Sequence, residues 1–431
     1  MSSDRKQLAW GMVDQGFSSA SNFGGSILAA RMLSTTEFGA FSIGFALYVI
    51  VLGLSRAWSS EPLVVRYAAS EERNQADAIR RGATTAFTAG VLGGAALCVA
   101  GFLLSSAVRT TLFAVALFLP ALMLQDFWRY ALILRRRSRD AAVNDLTWLV
   151  VLVVAFAAAR SHNLTAAGAV VLWAAGAVVG CLVGLVQLRM LPARRFVAWM
   201  RGHRDLSWPY TGEFLLLSGA GMLLTVGLGA IGGLGDAGGF RGALVALGPL
   251  GILFMGTSMQ VTPMMARRIA AGRADLRRLG IRVSGALGAV AAGWGLMLLL
   301  IPDHLGEKLL GSSWQSAQDL IPILSGYYVS TALMLGATVG LRALGAARTA
   351  LKLRLVVAPI GLGLGLLGAI ISGSKGAALG LLIGNAIALP LWWRTFVREA
   401  NAHRSAERSG VPPFVLAEPG DSRSGPAALE Y

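Results

Sequence analysis

Charge and reactive side chains are what this sequence has least of. Asp, Glu, Lys and Arg make up 14% of 431 residues against 55% hydrophobic residues, with only 2 Cys and 4 His. So little charge excludes a water-solvated domain, which needs polar faces along its elements. Cys98 and Cys181 both fall within apolar runs, where a thiol packs as a small hydrophobe, and His162, His203, His304 and His403 show no metal-ligand spacing. No Gly-rich loop ends in Gly-Lys-Ser or Gly-Lys-Thr, so the residues that cradle nucleotide phosphates are missing. No cofactor and no metal are expected on these grounds. A persuasive cleavage site is missing too: the basic start runs into a full-length apolar segment containing Asp14, which is expected to be retained as a helix.

What is abundant is apolar length. Mean hydropathy is +0.63, 54 residues are Gly, and apolar runs of about twenty residues, the length that spans hydrocarbon as a helix, recur throughout. Twelve spans are predicted, at 9–30, 38–58, 84–106, 112–133, 143–160, 166–188, 209–231, 242–262, 281–301, 320–341, 351–371 and 375–393. The fold class is therefore all-α, a polytopic membrane protein. Basic residues test that count independently: with span-end residues assigned to the adjoining gap, 31 of the 38 Lys and Arg fall to the tails and alternate gaps on one side and 6 to the other, Arg56 being set apart within its span. Basic loops stay cytoplasmic, so both termini and the loops with "RRRSRD", "PARRFVAWMRGHR" and "ARRIAAGRADLRR" are assigned there. The net charge of +16 then reports topology and contact with anionic lipid headgroups, and calls for no nucleic acid.

A repeat divides the chain. Asp14 and Glu213, Glu37 and Asp236, Gly39 and Gly238, and Phe41 and Phe240 are each separated by 199 residues. Six spans per half is an even number, so both halves enter the membrane in the same orientation, related by a pseudo-twofold axis along the membrane normal with a cavity between them. The expected organisation is a six-helix bundle over 1–195, a second over 196–394, and a cytoplasmic tail without fixed structure over 395–431.

The stretches "QGFSSASNFGGSILAARMLSTTEFGAFSIGFAL", "SSEPLVVRY", "LQDFWRYALILRRRSRDAAVNDLTW" and "GPLGILFMGTSMQVTPMMARR" resemble bacterial polysaccharide biosynthesis proteins of the Wzx-like kind, in the MATE-like multidrug, oligosaccharidyl-lipid and polysaccharide exporter (MOP) superfamily. The resemblance covers roughly residues 8–394. It implies two six-helix bundles around a central cavity, no enzymatic activity, a place in the bacterial cytoplasmic membrane, and transfer of a polyprenyl-diphosphate-linked oligosaccharide from the inner to the outer leaflet. Its implied partners are that glycan, membrane lipids and polysaccharide assembly proteins, with the chain itself a monomer. The peptidoglycan-precursor flippases of the superfamily typically have fourteen helices, two more than predicted here. A cation-coupled antiporter of drugs or small metabolites is the alternative, and coupling to a proton or sodium ion stays open.

A diphosphate sugar cannot cross hydrocarbon unaided, so a flippase needs cations in a wet groove, and the planar fork of arginine suits phosphate. Arg31 and Arg56 end spans of opposite direction, placing Arg31 at the outer exit and Arg56 at the inner mouth. Arg56 could instead snorkel to headgroups, and Arg31 and Arg66 could serve topology alone. Glu61 could pair with Arg56 or Arg66, or take a coupling proton. Asp14 and Glu213 are candidates for the cavity wall or for helix-terminal amides. Asp126 and Arg129, three apart on one helical face, suggest an ion pair or a gate, and Asp145 either joins them or caps the fifth helix. Tyr327 and Tyr328 sit deep enough for sugar stacking.

Overall fold

The computed structural model describes residues 3–68, 70–104, 106–159, 164–193, 196–270 and 276–408. Its N-terminal half comprises α1 (Ser3–Met32), α2 (Thr35–Trp58), α3 (Ser60–Tyr67), α4 (Glu72–Phe102), α5 (Ser106–Leu134), α6 (Ser138–Ala158) and α7 (Ala166–Leu188). The C-terminal half comprises α8 (Phe196–Phe214), a π-helical turn (Leu215–Gly219), α9 (Ala220–Ile231), α10 (Leu234–Ala246), α11 (Gly248–Ala270), α12 (Leu276–Leu300), the short α13 (Asp303–Leu310) and α14 (Ser313–Gln318), α15 (Ile321–Ala343) and α16 (Ala347–Arg408). Hydrocarbon offers backbone groups no partner, so spanning segments have to satisfy them within the helix.

Each of the twelve predicted segments is helical through most of its length. Among the described residues eight helical runs are long and apolar enough to cross a membrane, or nine if α10 and α11, bent by 50° at Leu247, act as one span. The difference has identifiable sources. α1 carries the polar stretch around Asp14 and Gln15, α9 is a short helix behind the π turn, and α16 is a hairpin rather than one span. Ser372 (φ −146°, ψ 28°) and Gly373 (φ 59°, ψ −139°) break α16 into two arms. The arms press backbone against backbone: a Cβ on Gly376 would overlap the Gly368 carbonyl oxygen, and one on Gly380 that of Leu364.

Several boundaries differ from expectation. "GGLGDAGGFRG", read as a link, is helical from Leu234 onward, because α10 uses Gly238, Gly239 and Gly242 as its buried face. α6 begins at Ser138, so Asp145 lies two turns inside the helix and cannot cap it. Residues 395–408, expected in the tail, continue α16, while 409–431 and His162 lie outside the described residues. Trp128 is fully buried against Gly184. Of Gly24, Gly25, Gly219 and Gly221, only Gly25 meets another helix, at Trp173 of α7.

The halves meet reciprocally. A Cβ on Gly39 would overlap the Leu234 carbonyl oxygen, and one on Gly238 would overlap that of Thr35. Thr35 and Leu234 are themselves 199 apart, so residue i meets j′ and i′ meets j, which is the signature of a twofold contact. The acidic pair repeats the relation. Glu37 Oε2 accepts from the Ala166 amide (2.5 Å) at the start of α7, and Asp236 accepts from the Ser374 amide (3.0 Å) and hydroxyl (3.1 Å) at the start of the second arm of α16. Each carboxylate caps the last span of its own half.

Candidate functional site

The densest polar assembly is centred on α5. Successive positions Gln125, Asp126 and Arg129 face α1, α2 and α6, and Arg129 presents its fork to three carboxylates: Asp14 Oδ2 at 2.9 Å, Asp145 Oδ2 at 2.8 Å and Asp126 Oδ1 at 3.4 Å. Arg56, from the last turn of α2, binds Asp126 in bidentate fashion, Nε to Oδ2 at 2.9 Å and Nη2 to Oδ1 at 2.6 Å. Arg129 is 6% exposed, Asp126 5%, Asp14 2% and Asp145 1%, whereas the Arg56 side chain is 33% exposed and lies over the Tyr130 ring. Gln125 extends the network, donating to Asp145 (2.9 Å) and Asn144 (3.0 Å). Asn144 in turn donates to the Gly180 carbonyl of α7.

Desolvating such charges costs several kcal/mol per ion unless partners replace the water. Here the partners come from three other spans, so the network fixes their register. Three carboxylates and two guanidiniums leave a formal charge of −1, and Asp14 Oδ1 finds no hydrogen-bond partner among the described residues. Sequence reasoning had proposed Asp126 with Arg129 as a local pair. The structure adds that Arg56 holds Asp126 more closely and that Arg129 reaches outward to Asp14 and Asp145.

The remaining candidates are dispersed. Arg66, at the end of α3, donates to the Gly202 carbonyl and to Asp205 (2.5 Å), both on α8. Beside it, His203 contacts the Trp199 carbonyl through Nδ1 (2.8 Å). A carbonyl only accepts, so Nδ1 carries the proton and Nε2 is left to accept from Tyr67 (3.3 Å). Burial there holds the His203 imidazole below its ordinary value, and the Arg66 charge adds to the effect. Arg66 therefore pins α8 to the N-terminal half. Glu61 is half-buried and feels the like charge of exposed Glu213 as well as Arg56. Glu213 thus has no environment like that of its repeat partner Asp14. Arg31 is exposed at the end of α1, where Gly311 (φ 58°) brings the loop between α13 and α14 against the last carbonyls.

One cation escaped the sequence reading. Arg241, counted as a loop residue, lies within α10, over the Phe45 ring at 4.8 Å, with Nη2 3.3 Å from Ser26 Oγ. It has no carboxylate partner among the described residues. The sequence signal was the Asp-x-Gly-x-Phe repeat itself, which places Arg241 one residue after Phe240.

A groove of about 940 Å³ opens at the seam of the halves between α1 and α11. Its walls are mostly apolar, with Gly11, Gly16 and Phe23 on one side and Ile252, Met255 and Gly256 on the other, and polar at one end, where Gln7, Arg136 and Ser138 lie. A Cβ at Gly11, Gly16 or Gly256 would meet nothing within 4 Å. Here glycine widens the groove instead of bringing helices together.

No family model matches the sequence, and no curated protein matches it. Solved structures do. An inward-facing conformation of a multidrug resistance MATE family transporter of the MOP superfamily superposes with a TM-score of 0.69 at 12% identity, covering 92% of this chain and 99% of that one. The lipid II flippase MurJ in an inward closed conformation gives 0.65 at 10% identity, covering 93% and 91%. An outward-facing conformation of a MATE family transporter gives 0.57 at 13% identity, covering 92% and 95%. At such identities the likeness is one of architecture. The chain is an all-α polytopic membrane protein with the MATE/MOP-like fold.

Proposed function

We propose that the protein is a flippase that carries a polyprenyl-diphosphate-linked oligosaccharide across the cytoplasmic membrane by alternating access. The observation that carries this reading is the groove between α1 and α11. It is mostly apolar and runs along α1 from Gln7 to Phe23, about 24 Å at 1.5 Å per residue, enough to hold a lipid chain while a polar headgroup passes between the halves. The better superposition on the inward-facing than on the outward-facing MATE structure supports a conformer ready to load from the cytoplasm, and the flippase MurJ shares the fold. In this reading both termini are cytoplasmic, the halves 1–195 and 196–394 rock about the Gly39–Gly238 contact, and Arg56, the exposed edge of the α5 network, exchanges Asp126 for the diphosphate.

The test is transport of a lipid-linked oligosaccharide between leaflets of proteoliposomes, normalised to inserted protein. Arg56→Ala removes a charge-assisted contact of about 1.5–3 kcal/mol, a roughly ten- to hundred-fold loss of rate. Arg56→Lys restores part of it, keeping charge without the fork. Equal normalised rates in all three proteins would eliminate Arg56 as a cargo contact. A second reading, a cation-coupled antiporter, is favoured by the leftover negative charge among Asp14, Asp126 and Asp145. Gradient-driven export of a cationic dye, with no movement of lipid-linked glycan, would select it.

A further inference from the structure

The C-terminal half holds a half-open cavity of about 550 Å³, separate from the seam groove and from the α5 network. It is lined by one face each of α15 and the two arms of α16, closed by α9 and α10. On α15 the lining positions Tyr327, Tyr328, Thr331 and Thr338 follow helical spacing. From 327 to 338 the rise of 1.5 Å per residue makes the cavity about 16 Å long. Arg354 enters from the first arm of α16, Asn385 and Trp392 from the second.

Its lining is mostly aliphatic, with one cation and a small group of aromatic and hydrogen-bonding side chains. Tyr327 and Tyr328 meet edge to face, with centroids 5.6 Å apart, and offer aromatic surface beside hydroxyl groups. Asn385 Nδ2 donates to Thr331 Oγ1 at 2.8 Å, which fixes the amide and leaves its carbonyl oxygen as an acceptor. Arg354 lies over the Trp392 ring, 5.6 Å from its centroid, and no carboxylate pairs with it among the described residues. Stacking uses the face of the guanidinium. The edge, with its paired N–H groups, stays available for a bidentate anion. Arg354 is half-buried near the start of α16 and feels the charges of Glu213 and Arg342 only from beyond ion-pair distance, and every other constituent of the cavity is neutral.

We propose that this cavity is a saccharide subsite for a sugar bearing a carboxylate, with Arg354 on the carboxylate and Asn385 and the tyrosine pair on the ring and its hydroxyls. The proposal rests on the flippase reading only for the origin of that sugar. A lipid phosphate could offer Arg354 a similar anion, and the test separates the two.

Full-length protein in detergent is titrated calorimetrically with a free disaccharide ending in glucuronic acid and with its neutral glucose counterpart. The acidic disaccharide is expected to bind at least ten-fold more tightly. Arg354→Gln should abolish that preference, Arg354→Lys should keep part of it, and Asn385→Ala should weaken both sugars alike. Equal affinities for the two sugars, no heat with either, or a preference that survives in a monodisperse Arg354→Gln protein would overturn the proposal. So would suppression of the preference in nanodiscs of phosphatidylglycerol but not phosphatidylcholine, which would assign Arg354 to lipid phosphate. Acid-selective binding without transport of lipid-linked glycan would leave the subsite standing and overturn the flippase reading; transport without acid selectivity would do the reverse.

Discussion

In the N-terminal half α5 lies among α1, α2 and α6 with its charges matched by theirs, while in the C-terminal half α15 faces an open cavity across from a single unmatched arginine. Burial itself does not separate the halves: the most apolar window is 44% buried in α5 and 50% in α15, and only the α16 hairpin, at 11%, stands apart. A ladder of rings, Phe38, Phe41, Phe45 and Tyr48, runs along one face of α2 into Trp173 of α7, and the α16 hairpin replaces such a ladder with glycine-to-glycine contact. A shared frame, with contacts repeated at 199 residues, thus carries an ionic and aromatic network in one half and a cavity in the other. Under the proposed function the first is a rigid body to move against and the second a space that changes shape.

The comparison breaks most visibly at Arg129. Arg129→Ala strands Asp14 and leaves Asp145 with only the Gln125 amide, while Asp126 keeps Arg56, and removing one partner of a buried pair costs about 3–5 kcal/mol. Loss of most monodisperse protein is expected on size exclusion, with a sharply lowered melting temperature in the remainder. The same measurement on Arg354→Gln should show little change, since no carboxylate depends on Arg354. Equal melting temperatures for the two variants would remove the distinction between a locked half and a hollow one.

Smaller effects sharpen the shared frame. Gly39→Ala and Gly238→Ala each drive a methyl group into a facing carbonyl, and overpacking of this kind costs about 1–3 kcal/mol. Their thermal shifts should be similar, because the two contacts are reciprocal, and a shift confined to one variant would show that the pseudo-twofold is not energetically symmetric. Least of all, Glu37→Gln and Asp236→Asn weaken the caps on α7 and on the second arm of α16, at about 0.5–2 kcal/mol each. Hydrogen exchange should speed up locally at residues 166–168 in the first variant and 374–376 in the second, with no change in the opposite half.

The spans were legible because a lipid-facing helix needs about twenty apolar residues in unbroken sequence. The extensions of α1, α4 and α6 ahead of their apolar runs were not, because hydropathy marks where a helix meets hydrocarbon and says nothing of how far it continues beyond. Within the candidate site, Asp126 and Arg129 could be paired from spacing alone, being three apart on one helix. Asp14, Arg56 and Asp145 come from three other helices, and no local pattern shows which span turns toward which. Arg241 was placed in a loop because "GGLGDAGGFRG" reads as flexible, whereas close packing of α10 on α2 and α14 makes those glycines helical.

Composition and apolar length by themselves determined that the chain crosses a membrane as helices, because backbone groups need partners in lipid, and the 199-residue spacing marked Gly39 and Gly238, which meet across the halves. Tertiary structure alone decided that Arg129 would be enclosed by three aspartates while Arg354 kept a free edge, and that glycines on α1 would widen a groove while those on α16 closed a hairpin. These outcomes depend on the rotation of each helix about its axis, which only the packing of its neighbours can fix.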